Sequence, residues 1–511
     1  MKWRIERYDE HVYFFLEDST EYLTIPIIKK IFIDSMTPVD LFQQVKDEAV
    51  YLLESNDESS PWSNYSFIGL NPFLYVEEEN GSYLAKNKQL QPMLQGDSFK
   101  EVFCKIQQEL KVKVPDLALP FKGGAVGFIS YDAVSQIEKV NVHAQNDLNM
   151  PTFHFIYCQT MLAYNHQTKE LMVIHYIQLN EQDKEQQKKE KYREALAEIN
   201  RYVERIAQTV KEKPMMFESE QREVSFEGVT SSYQKDKFVQ DVEKIKEYIK
   251  SGDVFQAVLS QRFQIDTTVA GFDIYRVLRL VNPSPYLFYV KVKGVELIGS
   301  SPERLIQIEN GHLEIHPIAG TRRRGRDAEE DARLYEDLIN DEKERAEHYM
   351  LVDLARNDIG RVAQYGSVQT PVLMQQVNFS HVMHLISKVT GRLDEKVHPI
   401  DALLSAFPAG TVSGAPKVRA MQILNEIEPV ARNVYAGTVA YLGFDGNIDS
   451  CIAIRTILLK DQTAYIQAGA GVVADSKPEL EWKETRNKAS ALIKTIQLAQ
   501  DIYDKKEDVY V

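Results

Sequence analysis

The sequence predicts an α+β fold of large antiparallel sheets covered by helices, and three observations carry that expectation. Strand-like and helix-like segments do not alternate regularly, so the βαβ rhythm of a doubly wound parallel sheet is missing. Short runs rich in Ile, Val, Phe and Tyr, bounded by Gly, Pro, Asn and Asp, recur through the first part of the chain and again in its second half. No fixed period of the kind that builds a solenoid runs through it.

Taken in order, strands are expected at Tyr22–Ile28, Tyr65–Val76, Gly123–Tyr131 and Phe153–Tyr164, with helices interspersed at Pro38–Glu54 and Ser98–Lys111. Glu181–Lys213 is dense in Lys, Glu and Gln, and Leu196, Ile199, Val203 and Ile206 recur within it at helical spacing. It reads as a solvated amphipathic helix joining two regions, because interleaved acids disfavour a basic DNA-binding helix. Tyr233–Ser251 reads as helix, several strands follow, and Asp327–Asp353 reads as one long charged helix. Glycine-punctuated strands continue to Asp475, and a last helix is expected over Pro478–Ile502. The chain thus divides into an N-terminal region over 1–205, a linker over 206–230 and a larger region over 231–505.

With 511 residues and a mass of 58.7 kDa, the chain has material for about three domains or one large elaborated unit. Hydrophobic residues at 44% and charged residues at 26% are ordinary globular values, so a large core can be buried. A net charge of −15 argues against general binding to nucleic acid or anionic membranes, neither of which it complements. Cys104, Cys158 and Cys451 are odd in number and widely spaced. They make neither a disulfide framework nor a CxxC metal site and suit a reducing compartment. The opening MKWRIERYDE carries no apolar core of a secretory signal. Apolar runs such as Val434–Phe444 are too short and glycine-broken to span a bilayer. The expectation is a cytoplasmic enzyme.

Two pairs of carboxylates stand out. Glu344 with Glu347, and Glu481 with Glu484, each lie at i and i+3 in a helix-like segment, which puts each pair on one face. Four carboxylates aimed at one cavity would take up protons unless a cation held them, and oxygen donors suit Mg²⁺. Read singly, each pair is more readily an ordinary surface pair balanced by Lys343, Arg345 and Lys483. Glycine-rich segments with nearby cations, Pro317–Gly325, Gly410–Lys417 and Ala468–Gly471, offer uncovered amides that can cradle carboxylate or phosphate, or are simply tight turns. None has the order of a nucleotide-binding loop. Arg455, in the apolar run Cys451–Leu459, needs a partner, and Lys488 is a second candidate anion clamp. His384 lies in a strand-like apolar run, where a hydrogen-bonded core histidine is the commoner outcome. No nucleophile elbow, HExxH motif or His/Cys metal cluster is visible.

Read together, PIAGTRRRG (317–325), DEKERAEHYMLVDLARNDIGRV (341–362), HVMH (381–384), FPAGTVSGAPK (407–417), YAGTVAYLGFDG (435–446), CIAIRT (451–456) and AGAGVVADSKPELEWKETRNKA (468–489) resemble the chorismate-utilising enzymes. Within that family the similarity is strongest to the anthranilate synthase large-subunit branch. It is dense from Tyr233 to Ile496 and thinner through Leu52–Ser55, Ser63–Pro72 and Phe121–Asp132.

The resemblance implies two large antiparallel sheets packed face to face with helices outside. It implies addition of ammonia to chorismate, loss of the 4-hydroxyl, and elimination of pyruvate to leave anthranilate. By similarity Glu347 and Glu484 hold Mg²⁺, with Glu344 and Glu481 in or behind its water shell. Arg455, Tyr435 and the amides of Gly469, Ala470 and Gly471 would receive the enolpyruvyl carboxylate. Gly320 and Thr321 would line the ring pocket, with Thr411 and Lys488 close by. His384 would stand beside C2, and Glu303 would protonate the departing hydroxyl. Gln256 stands where water-activating branches carry lysine, and Ala319 where many aminodeoxychorismate synthases carry a nucleophilic lysine. Both departures favour direct ammonia attack. The resemblance further implies a separate glutamine amidotransferase subunit, and a feedback pocket for L-tryptophan in which Ser55, Pro285, Tyr286 and Leu287 take part. An aminodeoxychorismate synthase and a non-catalytic tryptophan-binding regulator are the alternatives.

Overall fold

A computed structural model describes residues 11–56, 61–208, 215, 224–378 and 382–503. Its strands form one continuous ladder of antiparallel neighbours. Starting at Gln256–Asp266, it runs through Thr463–Val472, Thr456–Lys460, Val295–Ser301 and Tyr286–Val292. It passes into the N-terminal region through Ala49–Glu54, Tyr65–Glu79, Phe153–Asn165 and Gly124–Ile129. It then returns to the second half through Thr438–Gly443, Ile448–Ile452, Arg304–Glu309, His312–Ile315 and Val382–Arg392. The last of these pairs with both Ile318–Arg323 and Gln369–Asn378. Strands contributed by residues 49–165 therefore join the two halves of the second region by direct backbone hydrogen bonds.

Side chains alternate across each sheet, and the alternation sorts them into layers. In Tyr286–Val292, Leu287 and Tyr289 face one apolar cluster while Phe288, Val290 and Val292 face another. In Thr438–Gly443, Val439 and Tyr441 enter that same second cluster, whereas Ala440 and Leu442 enter a third. The shared cluster is the layer between two facing sheets, which also receives Phe67, Phe121 and Val126. The outer faces are covered by helices. Gly271–Val281 and Pro478–Tyr503 lie over one sheet, and Glu342–Gly360 and Pro399–Ala406 over the other. Both faces of the strands are thus apolar, so the sequence shows near-continuous hydrophobic runs instead of clean alternation.

Several expected elements differ in extent. Pro38–Glu54 is not one helix: Pro38–Gln44 is helical, closed at its start by a reciprocal cap between Thr37 and Asp40, and Ala49–Glu54 is a strand. Neighbouring strands on both sides claim that segment's backbone, and tertiary pairing overrides local helix preference. The charged stretch at 327–353 is two helices, Ala328–Asn340 and Glu342–Gly360. Asp341 separates them with extended backbone, and its carboxylate accepts from the amides of Lys343 and Glu344 at 3.0 and 3.1 Å. The helix at Glu185–Ala207 is amphipathic as expected, yet Tyr192, Ala195, Ile199, Tyr202 and Ile206 are buried, which seats it on the N-terminal sheet instead of leaving it solvated. Among the described residues no helix is long and apolar enough to cross a membrane.

Candidate active site

The two carboxylate pairs enter the same region from different helices. Glu344 and Glu347 belong to Glu342–Gly360, and Glu481 and Glu484 to Pro478–Tyr503. Burial is the first cause that raises the Glu347 carboxyl above the usual carboxylate range, and the charges of Glu344 and Glu484 raise it further. Burial likewise raises Glu481, and Glu484 adds to the effect. The pairs therefore share one electrostatic field, the condition under which a divalent cation is favoured. The cations now present are protein groups: Arg322 Nη1 donates to Glu344 Oε1 at 3.0 Å, and Lys488 Nζ lies 2.8 Å from Glu484 Oε1. Among the described residues no three His, Cys, Asp or Glu side chains converge closely enough to hold a metal ion in these rotamers. The donor set is hard oxygen throughout and its acids lie in one another's field, so it fits Mg²⁺ chemically.

His348 steadies this arrangement. It is fully buried one residue after Glu347, and its Nε2 hydrogen-bonds Ser387 Oγ at 2.6 Å, pinning the helix to the Val382–Arg392 strand. Sequence reasoning missed it; a histidine beside the second glutamate of the pair was the only signal available.

On the same strand His384 lies opposite Thr321 in the pairing register, where a bulge displaces Gly320. Gly320 has φ +76°, which a side chain rarely tolerates, and this turns its carbonyl to His384 Nδ1 at 3.1 Å. A carbonyl only accepts, so Nδ1 carries the hydrogen and Nε2 the lone pair. Burial first, and the Arg455 charge as well, lower the His384 pKa and hold the ring neutral. The Thr321 side chain lies outside the described residues. Ala319 stands in the adjoining register position opposite Leu385.

Glu303 follows the Val295–Ser301 strand, and Thr411 sits on the one-turn helix Gly410–Val412. Thr411 Oγ1 donates to Glu303 Oε2 at 3.0 Å. Burial raises the Glu303 pKa against the opposing pull of Thr411, Lys488 and Arg455, so this carboxyl is proton-retentive and within the field of two cations. Arg455 is exposed at the surface, while desolvation lowers its pKa against the opposing charge of Glu303. The expected strand around it is interrupted at residues 453–455, and Arg455 itself has φ +49°. That left-handed backbone turns the guanidinium out of the sheet, where Nη1 reaches Asn282 Oδ1 at 3.4 Å.

The opposite wall is the Thr463–Val472 strand. Lys488 Nζ donates to the Gly469 carbonyl at 3.0 Å. A β-carbon on Gly469 would stand 2.8 Å from the Tyr435 hydroxyl, so glycine is what lets that phenol approach the strand. Ala470 pairs with Leu259, and Gly471 lies against the side-chain amide of Gln256, which is 8% exposed. The structure thus brings His384 to Gly320, Glu303 to Thr411, Tyr435 and Lys488 to Gly469, and Gln256 to Gly471.

Ser55, Pro285, Tyr286 and Leu287 fall in a separate cavity, lined also by Glu54, Arg304, Tyr441, Asp449 and Cys451. Arg304 is common to this cavity and to a second one that Glu303, Thr411 and His316 line. Its Nε donates to the Tyr286 hydroxyl at 2.8 Å and its Nη1 to Glu314 Oε1 at 2.7 Å. One guanidinium therefore contributes to the lining of both spaces.

Over residues 49–494 the sequence matches the family described as chorismate binding enzyme. It is 56% identical over 496 residues to anthranilate synthase component 1 of Bacillus caldotenax, covering 96% of this chain and 98% of that protein. Its identity to the component 1 of Geobacillus stearothermophilus is 54% over 498 residues, covering 97% and 98%. The fold superposes with a TM-score of 0.73 on the crystal structure of anthranilate synthase component I from Streptococcus pneumoniae, at 35% identity over 91% of this chain and 99% of that one.

Proposed function

Because this chain belongs to the chorismate-binding enzyme family, we propose that it acts in the cytoplasm as an anthranilate synthase large subunit, turning chorismate and ammonia into anthranilate and pyruvate. The observation that carries this reading is 54–56% identity to proteins of that name over 96–97% of the chain.

Chorismate carries two carboxylates, and a chain of net charge −15 needs local cations to hold it. Arg455, the Tyr435 hydroxyl and the amides of 469–471 receive the enolpyruvyl carboxylate. Gly320, Thr321 and His384 flank the ring. Glu303, whose pKa burial raises, is the group placed to protonate the departing 4-hydroxyl, with Thr411 hydrogen-bonded to its carboxyl. His384, neutral and with its lone pair on Nε2, accepts the C2 ring proton as the ether C–O bond breaks and enolpyruvate leaves, which becomes pyruvate by taking up a proton at its methylene carbon. Glu344, Glu347, Glu481 and Glu484 are the residues that would hold Mg²⁺, whose charge would offset the ring carboxylate. Gln256 and Ala319 stand where other branches of the family carry lysine, and neither is a base or a nucleophile, which favours ammonia as the attacking group.

The relatives' designation as component 1 supports a partner, which by this reading is a glutamine amidotransferase supplying ammonia. The cavity holding Ser55, Pro285, Tyr286 and Leu287 is, on the same reading, a feedback site for L-tryptophan. Incubating the chain with chorismate, Mg²⁺ and ammonium tests the proposal. Fluorescent anthranilate is the expected product, and 4-amino-4-deoxychorismate or no product overturns it.

A further inference from the structure

Arg432 touches none of the expected substrate atoms, yet it ties three walls of the cavity together. It is 3% exposed. Its Nε and Nη2 donate to the two oxygens of Glu428, each at 2.7 Å. Nη1 donates to the Val412 carbonyl at 2.7 Å, directly after Thr411, and Nη2 to the Val258 carbonyl at 2.6 Å, in the strand paired with Gly471. Its guanidinium carbon stands 5.6 Å from the centre of the Tyr435 ring and 4.6 Å from that of Tyr131. Glu428 is held in turn by the amide and hydroxyl of Ser260 at 2.9 and 2.8 Å. The N-terminal region grips the next residue: Ser130 Oγ donates to the Asn433 carbonyl and the Asn433 amide donates to Asp132 Oδ2, both at 2.8 Å.

A planar, permanently charged fork is the side chain suited to this task. It neutralises Glu428, satisfies two carbonyls on different elements and leaves its faces for aromatic rings. We propose that Arg432 is a positioning residue: it sets the Tyr435 hydroxyl against Gly469 and the Thr411 turn against Glu303, so that carboxylate recognition and proton delivery share one register. The inference rests on the proposed chorismate chemistry, because Tyr435 matters only if it meets substrate.

Arg432→Lys keeps the charge and loses the fork. In ammonia-dependent turnover its KM for chorismate rises about 10-fold or more, as expected when a binding group is misplaced by a fraction of an ångström. The same substitution made in a Tyr435→Phe background raises KM little further, because the group it positions is already gone. Thermal unfolding of each variant establishes that the folded protein is being measured. KM unchanged in folded Arg432→Lys, or an effect fully additive with Tyr435→Phe, overturns the proposal, since a purely structural role predicts both. Should Arg432→Lys fail to fold, Tyr131→Leu, which removes one ring beside the guanidinium, decides the matter by the same cycle: coupled KM supports it, additive or unchanged KM overturns it. Wild-type protein making no anthranilate sinks the underlying chemistry instead, a result distinct from any of these.

Discussion

Glu484 is exposed and its nearest cation is Lys488 on its own helix, so it contributes little packing. Glu484→Gln should leave the melting temperature nearly unchanged, yet weaken Mg²⁺ binding about 100-fold by calorimetric titration and reduce Mg²⁺-dependent turnover in step. Undiminished Mg²⁺ affinity would remove this residue from the ligand set. The residue scale also shows how unevenly a site can be read from sequence. That Glu344 shares a helical face with Glu347, and Glu481 with Glu484, was legible from i, i+3 spacing, while the role expected of all four came from the family resemblance. His348 and Arg432 were not, since each owes its position to partners such as Ser387, Val412 and Val258, far off in sequence.

At the scale of elements, the Ala49–Glu54 and Tyr286–Val292 strands pair so that Glu54 lies opposite Leu287. The chain leaving each strand then walls the cavity that holds Ser55 and Pro285. Ser55→Phe adds a ring to a half-buried edge of that space without touching Glu303 or Thr411. Inhibition by L-tryptophan should weaken at least ~10-fold while the uninhibited rate changes little. An unaltered inhibition curve would place the inhibitor elsewhere. Element boundaries were the least legible feature of the sequence. The segment at 49–54 has apolar residues enough for helix or strand, and only the strands on either side decide between them. The break at Asp341 was local in origin, an aspartate capping the next helix, but it was masked by strong helix formers on both sides.

For the molecule as a whole, the clamp between residues 130–132 and 433 joins the N-terminal strands to the catalytic cavity. Burial raises the Asp132 carboxyl from its ordinary 3.8 to about 6, against the pull of the Asn433 amide and of His143 and Arg432. The folded state then binds this proton more tightly than the unfolded chain does, so the group costs stability as pH rises from about 4 to above 6. Relative to wild type, Asp132→Asn should therefore gain about 2–3 kcal/mol between pH 4 and pH 7. Unfolding midpoints of both proteins across that range check it, and a constant difference would show that Asp132 does not titrate there. By itself the sequence determined the α+β class and most of the helices, because these follow from periodicity, composition and short-range spacing, while the family resemblance supplied the candidate site residues. The tertiary structure alone decided that residues 49–165 bridge the two halves of one ladder, that Arg304 lines two cavities, and that two distant carboxylate pairs share one field. Those facts arise from long-range strand pairing and from the low dielectric that burial creates, neither of which is encoded in any local stretch of chain.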